Sequence, residues 1–504
     1  MSGDRHLRPD PDGRLRGSPA TLATVLVKSA PGYAHSVAGQ QLLQMLVDLL
    51  ARQFGVIGTV LLDVDDSAVH PGVFLRPRID EGSLVSALVR LSDAVGDGLV
   101  TTRIAEDTSA TAVVCVGSCL DPTTFGVPGI AIAGHGWRAL ARTTGPIAAL
   151  PSGSANPLGP QLAACIGAGF AFKSAYGKHR SVDAQFNLWS PAGEDGPDLE
   201  GVELPAAYVL GLGAVGASFG YSLASVPGLG GRLVAIDPQD MSDTDRNRLV
   251  SGSWDDVDTS KTALFGDMFQ NTNIPVHAFK GRWPEDYLGD PDRDIADELK
   301  KEEREGRFSW VVCCVDRDRD RAAIASQLPR HVLAGSTLGM AAQTAYYSLT
   351  GNSECLACRH RTPQQLGVEE LVEQLRRLSH DARAAWYDDR GVSLEVRASI
   401  EEYLTDPTCA GPGAADLAKL GLQGPVDWAV GFVSMAAGVI LAARFIRATL
   451  IGIEAEIANG SECRFLFWVD ELVASQARRA DDCPLCREPP PTWRLLWSKP
   501  SPPT

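Results

Sequence analysis

The chain lacks any excess of positive charge. Its 46 Lys and Arg face 62 Asp and Glu, a formal net charge of −16 at pH 7. A protein that coats nucleic acid needs a basic footprint, so this balance excludes that class. It also offers no attraction to an anionic membrane surface. A long uncharged apolar run is missing too. The longest, Val430 to Ile446, contains Arg444 and is shorter than the ~20 residues expected of a spanning helix. The opening MSGDRHLRPDPDGRLRGS is polar and lacks the apolar core of a secretory leader. These absences predict a cytoplasmic protein with neither nucleic acid nor membrane as partner.

A disulfide framework is also absent. Eleven cysteines, an odd number, with no export signal argue for reduced thiols. Four of them form two C-x-x-C pairs, Cys355/Cys358 in ECLACRH and Cys483/Cys486 in DDCPLCRE. Each pair puts two thiolates on one tight turn, and two turns close a tetrahedral Zn2+ site. With no open position such a site is structural. Nothing like a thioredoxin unit precedes either pair, which disfavours a redox role. Most of the remaining seven, Cys115, Cys119, Cys165, Cys313, Cys314, Cys409 and Cys463, sit among apolar neighbours and read as small core residues.

At 504 residues the length corresponds to about three domains. Residues 1–30 read as a flexible lead-in. From 31 to 200, helical periodicity at 39–54, 83–96 and 156–177 alternates with strand-like runs at 56–64, 111–119 and 129–134. The 156–177 helix carries small residues that permit close packing. A polar, Gly/Pro-containing stretch, 178–205, reads as a domain boundary. A second alternation follows over 201–487, with strands at 206–210, 232–237, 308–316 and 331–336, and helices at 214–226, 260–269 and 317–328. The fold class is therefore α/β, a doubly wound, mostly parallel sheet covered on both faces, with a second, less regular α/β half before it. A long apolar helix is expected over 426–452, and residues 488–504 form a Pro-rich, extended tail.

One motif carries chemistry. GLGAVG places Gly211, Gly213 and Gly216 directly after a strand and at the start of a helix. The glycines allow a tight turn and close backbone approach, and the helix N-terminus attracts phosphate. Asp237 ends the next strand, where a carboxylate accepts from ribose hydroxyls. This pattern alone does not separate ATP from NAD.

The segments that follow, DPQDMSDTDRNRLV, SKTALFGDMF and VVCCVDRD, resemble those of the ThiF/MoeB adenylyltransferases, relatives of the ubiquitin-activating enzymes. In that family an Asn-x-x-Arg segment follows the acid-ended strand, then a Lys opens the next helix and an Asp closes a later strand. Arg248, Lys261 and Asp316 fall on the last three positions. Asp245 stands where the family has Asn, with Asn247 two residues on. The resemblance implies that Gly213 and Asp237 hold the nucleoside of ATP, that Arg248 and Lys261 contact its phosphates, and that Asp316 holds Mg2+. The family also has a cysteine zinc site in similar places. Fixed cations suit the reaction, because transfer at the α-phosphorus develops negative charge on phosphate oxygens.

Cys409, in the polar loop LTDPTCAGPGAADL ahead of the long helix, matches the position from which thiolating relatives accept the activated acyl group. A thiolate is the natural acceptor. Residues 31–200 resemble a degenerate, inactive adenylation half, which makes the chain a pseudo-dimer and leaves open its assembly into a homodimer. In such fusions the inactive half lends an Arg to the active site, with candidates among Arg5, Arg8, Arg14 and Arg16. The implied function is ATP-dependent adenylation of the C-terminal glycine of a ubiquitin-like protein, thioester transfer to Cys409, and delivery to a conjugating-enzyme-like protein. Such systems serve biosynthesis or antiphage conjugation. A sulfur-carrier adenylyltransferase of thiamine or molybdopterin type is disfavoured by the large N-terminal half, since those enzymes resemble short homodimers. An NAD-dependent oxidoreductase would leave Lys261 and Asp316 without a role. A non-enzymatic scaffold would not need the ATP-site residues.

Overall fold

The computed structural model describes residues 21–497 except 80, 106–108, 151–152, 191–192, 292, 294, 350–352, 360–367, 390–391, 406–428, 482, 484 and 488, together with Leu15 and Pro19. The N-terminal half runs β1 (Ala23–Ser29), α1 (Val37–Ala51), β2 (Ile57–Asp63), α2 (Leu84–Gly96), β3 (Thr101–Ile104), β4 (Ala112–Val116), β5 (Gly129–His135), β6 (Arg138–Arg142), α3 (Leu158–Ala175) and β7 (Asp183–Asn187). The C-terminal half begins with β8 (Ala207–Leu210), α4 (Ala214–Ala224), β9 (Leu233–Ile236), α5 (Lys261–Met268) and β10 (Val276–Phe279). It continues through α6 (Glu285–Gly289), α7 (Asp297–Arg304), β11 (Trp310–Cys313), α8 (Asp318–Ser326), β12 (His331–Leu338) and β13 (Ala341–Tyr347). The last elements are α9 (Leu356–Arg359), α10 (Val368–Arg377), α11 (His380–Asp389), α12 (Leu394–Thr405), α13 (Gly431–Ile451), α14 (Ile453–Ala458), β14 (Glu462–Leu466), β15 (Glu471–Ser475) and α15 (Pro491–Trp497).

The strands form two sheets, ordered β3-β2-β1-β4-β5-β6-β7 and β10-β9-β8-β11-β12-β13-β14-β15. Counted from each half's own first strand the order is the same, with one extra strand on the second sheet. In both sheets the first five strands are parallel and those beyond pair antiparallel. The helices correspond as well: α1 and α4 follow the leading strands, and α3 and α13 occupy equivalent places before β7 and β14. The fold is thus doubly wound α/β twice over.

Local chemistry starts these elements. Ser36 and Ser83 cap α1 and α2, each accepting from the backbone N–H three residues on, a satisfaction that the first helical turn otherwise lacks. Helices α1 and α3 pack on the first sheet and α4 and α13 on the second, the pairs meet one another, and one large hydrophobic cluster runs through both halves, with separate clusters beyond it. Small residues make the approach possible. A Cβ on Gly438 of α13 would lie 2.3 Å from Ser218 Cβ on α4, and one on Gly169 of α3 would lie 2.9 Å from Phe467. Helix α13 is long and apolar enough to cross a membrane by length and composition, yet 83% of its apolar window is buried within the fold, so it is placed as a core helix.

Several sequence boundaries move. Residues 23–29 of the expected lead-in form β1, which pairs with β2 and β4, and Leu15 is buried in the main core. The expected boundary at 178–205 contains β7, because its Asp183–Asn187 segment pairs with β6 and Phe186 is buried. The tail expected to be extended contains α15, anchored where Trp497 Nε1 donates to the Leu328 carbonyl.

The close α4–α13 contact predicts opposite outcomes for two glycines. Gly438→Ala should lower the thermal unfolding midpoint by several degrees, since overpacking costs about 1–3 kcal/mol. Gly266→Ala, in α5 with open space around its Cβ position, should leave it unchanged or raise it slightly.

Candidate functional site

The chain runs from β8 to β9 and β10 on one side, then crosses to β11 on the other. This reversal opens a crevice at the carboxyl ends of β8 and β11, where ligands of open α/β sheets bind. The glycine loop lies at that end. Gly211 adopts φ 86°, and a Cβ there would lie 2.9 Å from the Cys314 carbonyl carbon. A Cβ on Gly216 would strike the Gly211 oxygen at 2.0 Å, whereas Gly213 faces open space. Two glycines thus serve turn and packing, and the middle one leaves room for a ligand. Gly213 caps α4 without any side-chain hydrogen bond to the helix, so the first N–H groups and their partial positive charge have no side-chain cap.

Asp237 is buried at the end of β9. Its Oδ2 accepts from Leu212 N at 2.6 Å and its Oδ1 from Gln239 N at 2.8 Å. Burial raises its pKa, partly offset by Lys261 and these two N–H donors. The carboxylate therefore ties the glycine loop to the neighbouring strand.

A second buried acid organises the cations. Arg248 Nη2 lies 2.7 Å from Asp245 Oδ1, and Lys261 Nζ 3.3 Å from Asp245 Oδ2. Burial alone would push the Asp245 carboxyl up, but Arg248, Lys261 and hydrogen bonds from Ser242 outweigh it and hold the pKa below the ordinary value. Asp245 is thus an ion-pair hub. Asn247 accepts from Arg248 Nη1 at 3.1 Å and donates to the Ala429 carbonyl at 3.0 Å, which orients the arginine. Sequence reading missed Gln239: its Oε1 accepts from Lys261 Nζ at 2.9 Å while its N–H holds Asp237. Its place two residues after the strand-ending acid was the available signal.

Asp316 follows β11 and is exposed. Its charge reaches half-buried Asp320, whose pKa is raised by burial, lowered by Arg317 and Arg319, raised by Asp316 and lowered by Arg282. The structure thus gathers Gly211, Gly213, Gly216, Asp237, Asp245, Asn247, Arg248 and Lys261 around one crevice, with Asp316 in the segment that follows β11. Cys409, Arg5, Arg8, Arg14 and Arg16 lie outside the described residues. Cys313 and Cys314 have thiols that burial pushes up, which fits core residues rather than nucleophiles.

The two C-x-x-C turns meet. Cys355 Sγ is 3.7 Å from Cys358 Sγ and 3.6 Å from Cys483 Sγ, Cys358 Sγ is 3.2 Å from Cys486 Sγ, and all four lie within 4.8 Å of one another. Four sulfurs at ~2.3 Å from a tetrahedral Zn2+ would stand ~3.8 Å apart, so the donor set fits a closed metal site. Burial and then the charges of the neighbouring thiols raise Cys355, and burial also raises Cys486, to about 12. A bound cation would offset that cost of ionising clustered thiols. The cluster packs beside Leu349, Leu485 and Trp493, so it joins the segment after β13 to the chain end.

No family model matches the chain. Among curated proteins, the uncharacterized protein y4jF of Sinorhizobium fredii is 24% identical over 367 residues, 68% of this chain and 64% of y4jF. The match therefore spans slightly less than two thirds of that relative's length. Among solved structures, E. coli MccB is 16% identical with a TM-score of 0.35, covering 56% of this chain and 64% of MccB. E. coli MccB with ATP gives 15%, 0.35, 56% and 65%. The microcin C7 biosynthetic enzyme MccB in complex with N-formylated MccA gives 15%, 0.36, 56% and 67%.

The cysteine geometry makes a direct prediction. The purified protein should carry about one divalent metal per chain, measured by mass spectrometry of the metal content. Cys483→Ser should abolish it and lower thermal stability, while Cys119→Ser, at an exposed residue outside the cluster, should change neither.

Proposed function

We propose that the C-terminal half adenylates the C-terminal carboxylate of a protein or peptide partner. The observation that carries this reading is the buried Asp245–Arg248–Lys261 hub beside an open glycine loop and the Asp237 carboxylate. An oxygen of the partner's carboxylate attacks the α-phosphorus of ATP, and the bond to the bridging oxygen of pyrophosphate breaks. Arg248 and Lys261 stabilise the charge that develops on the phosphates, and they do so most effectively when held in place beforehand. Pairing with Asp245 prearranges both and leaves the triad with a net charge of +1. Asp316 is an oxygen donor of the kind Mg2+ prefers. That ion would neutralise phosphate charge.

The partner fitting the sequence resemblance is a ubiquitin-like protein ending in glycine. Cys409 would then attack the acyl carbon, release AMP, and hold the acyl group as a thioester for a conjugating-type protein. The reading takes the four-cysteine site as structural Zn2+ and the protein as cytoplasmic.

The N-terminal half is read as a copy that takes no nucleotide. Its sheet keeps the same strand order, and Asp65, just beyond β2, accepts from Gly32 N at 2.9 Å, much as Asp237 accepts from Leu212. Tyr33, which follows Gly32, packs against the ends of β4 and β5. A Cβ on Gly117, at the end of β4, would lie 2.8 Å from the Tyr33 ring, and the Tyr33 hydroxyl donates to the Gly134 carbonyl at 2.9 Å. Burial pushes the Tyr33 hydroxyl pKa up to about 12.

Titration calorimetry should find about one Mg·ATP per chain and no NAD binding. With a glycine-ended ubiquitin-like partner, ATP–pyrophosphate exchange should fall about 100-fold or more in Lys261→Ala and vanish in Asp316→Ala. Cys409→Ala should retain exchange and lose the reducible adduct. Binding of NAD in place of ATP would overturn the adenylation reading; exchange without any adduct in the unaltered chain would overturn only the role of Cys409.

A further inference from the structure

We propose that the Asp48–Arg52 ion pair of the N-terminal half positions Arg248 for the triphosphate by fixing the backbone on either side of it, an inference that rests on the nucleotide reading of the crevice. Asp48 lies in the last turn of α1 and Arg52 is its C-cap. Both side chains are almost wholly buried, at 2% and 1% exposure. Arg52 Nε and Nη2 each donate to Asp48 at 3.0 Å. The remaining donors cross to the other half: Nη1 donates to the Arg246 carbonyl and Nη2 to the Gly252 carbonyl, both at 2.8 Å. These carbonyls bracket Arg248. Arg52 is therefore not placed to touch a nucleotide, since every donor nitrogen is already engaged.

A second arginine braces the same strap, the segment 246–256 that carries Arg248. Arg76 Nε donates to the Ser251 carbonyl at 2.9 Å, and its guanidinium pairs with Asp256 at 2.5 Å and Asp267 at 2.7 Å. Within the strap, Arg246 stacks on Trp254, 3.5 Å from the ring centroid. Three consequences follow from the chemistry. A deeply buried ion pair is a poor source of stability, because desolvation consumes most of the Coulomb gain. A guanidinium can hold two separate carbonyls and a carboxylate at once, in a rigid plane, whereas an ammonium or an apolar side chain cannot. Both acceptors are main-chain atoms, so the clamp sets the path of the strap whatever side chains it carries. The side chain so placed is the phosphate-directed Arg248, with its Asp245 pairing.

The test compares Mg·ATP with adenosine by titration calorimetry on the full chain. Arg52→Lys keeps the charge beside Asp48 but cannot span both carbonyls. It should weaken Mg·ATP about tenfold, the scale of one misaligned charge-assisted contact, while adenosine binding changes less than about twofold. Arg76→Gln, at a partly exposed position where misfolding is not expected, should shift Mg·ATP in the same direction and again spare adenosine. A merely structural role would weaken both ligands together or lower the melting temperature with affinities intact, and either result overturns the inference. Failure of the unaltered chain to bind Mg·ATP overturns the nucleotide reading itself, and the inference with it.

Discussion

Two sheets are joined through four helices that pack on one another between them, and the rest of the molecule is arranged around that contact. A doubly wound sheet needs both faces covered. Here α1 and α3 cover the inner face of the first sheet, α4 and α13 that of the second, and α13 packs in turn on α3. Such an arrangement requires helices apolar on nearly all sides, as α1, α3 and α13 are, with almost every residue buried. It also requires small residues where axes approach, as at Gly169 and Gly438.

Several buried polar groups of these helices are paired across elements. Lys173 of α3 reaches Asp470 at 2.7 Å and the Phe467 carbonyl at 2.6 Å. Gln44 of α1 accepts from the Tyr221 hydroxyl at 2.8 Å, and Arg444 of α13 meets Glu456 at 2.8 Å. Each such group must find a partner, because an unpaired buried charge is far more costly than an unmade surface contact. Most of these partners sit in a different element, and several in the other half, so the pairs also specify how the halves register. The crevice lies beside these contacts. Its glycine loop leads directly into α4, and its arginine strap lies between the N-terminal half and the start of α13.

Electrostatics in the crevice follow the same economy. Asp237 and Asp245 are both buried, but their environments differ. Asp237 is surrounded mainly by backbone N–H groups, with one ammonium nearby, and burial dominates its titration. Asp245 holds two cations directly, and their attraction dominates instead. One acid shapes a loop and the other arrays positive charge. In the N-terminal half Asp65 makes a comparable contact, accepting from Gly32 N at 2.9 Å.

Much of this was legible in the sequence. The glycine triplet, the strand-ending Asp237 and the two cysteine pairs depend on short spacings that local geometry dictates, and the α/β alternation emerges from periodicity. The edge and antiparallel strands β3, β6, β7, β10, β13, β14 and β15 were not legible: most are short or half-exposed, and β13 reads AAQTAYY, with small and polar residues where an apolar run would mark a strand. Neither was β1, hidden behind a charged opening. The ion-pair hub of Asp245 and the bracket that Arg52 places across the strap were decided only in three dimensions. Arg52 and Arg246 stand 194 residues apart in the chain, and no local preference relates them. Local rules act over one turn or one strand; what joins distant turns is the common requirement that every buried charge and carbonyl be satisfied, and only the closed fold determines by whom.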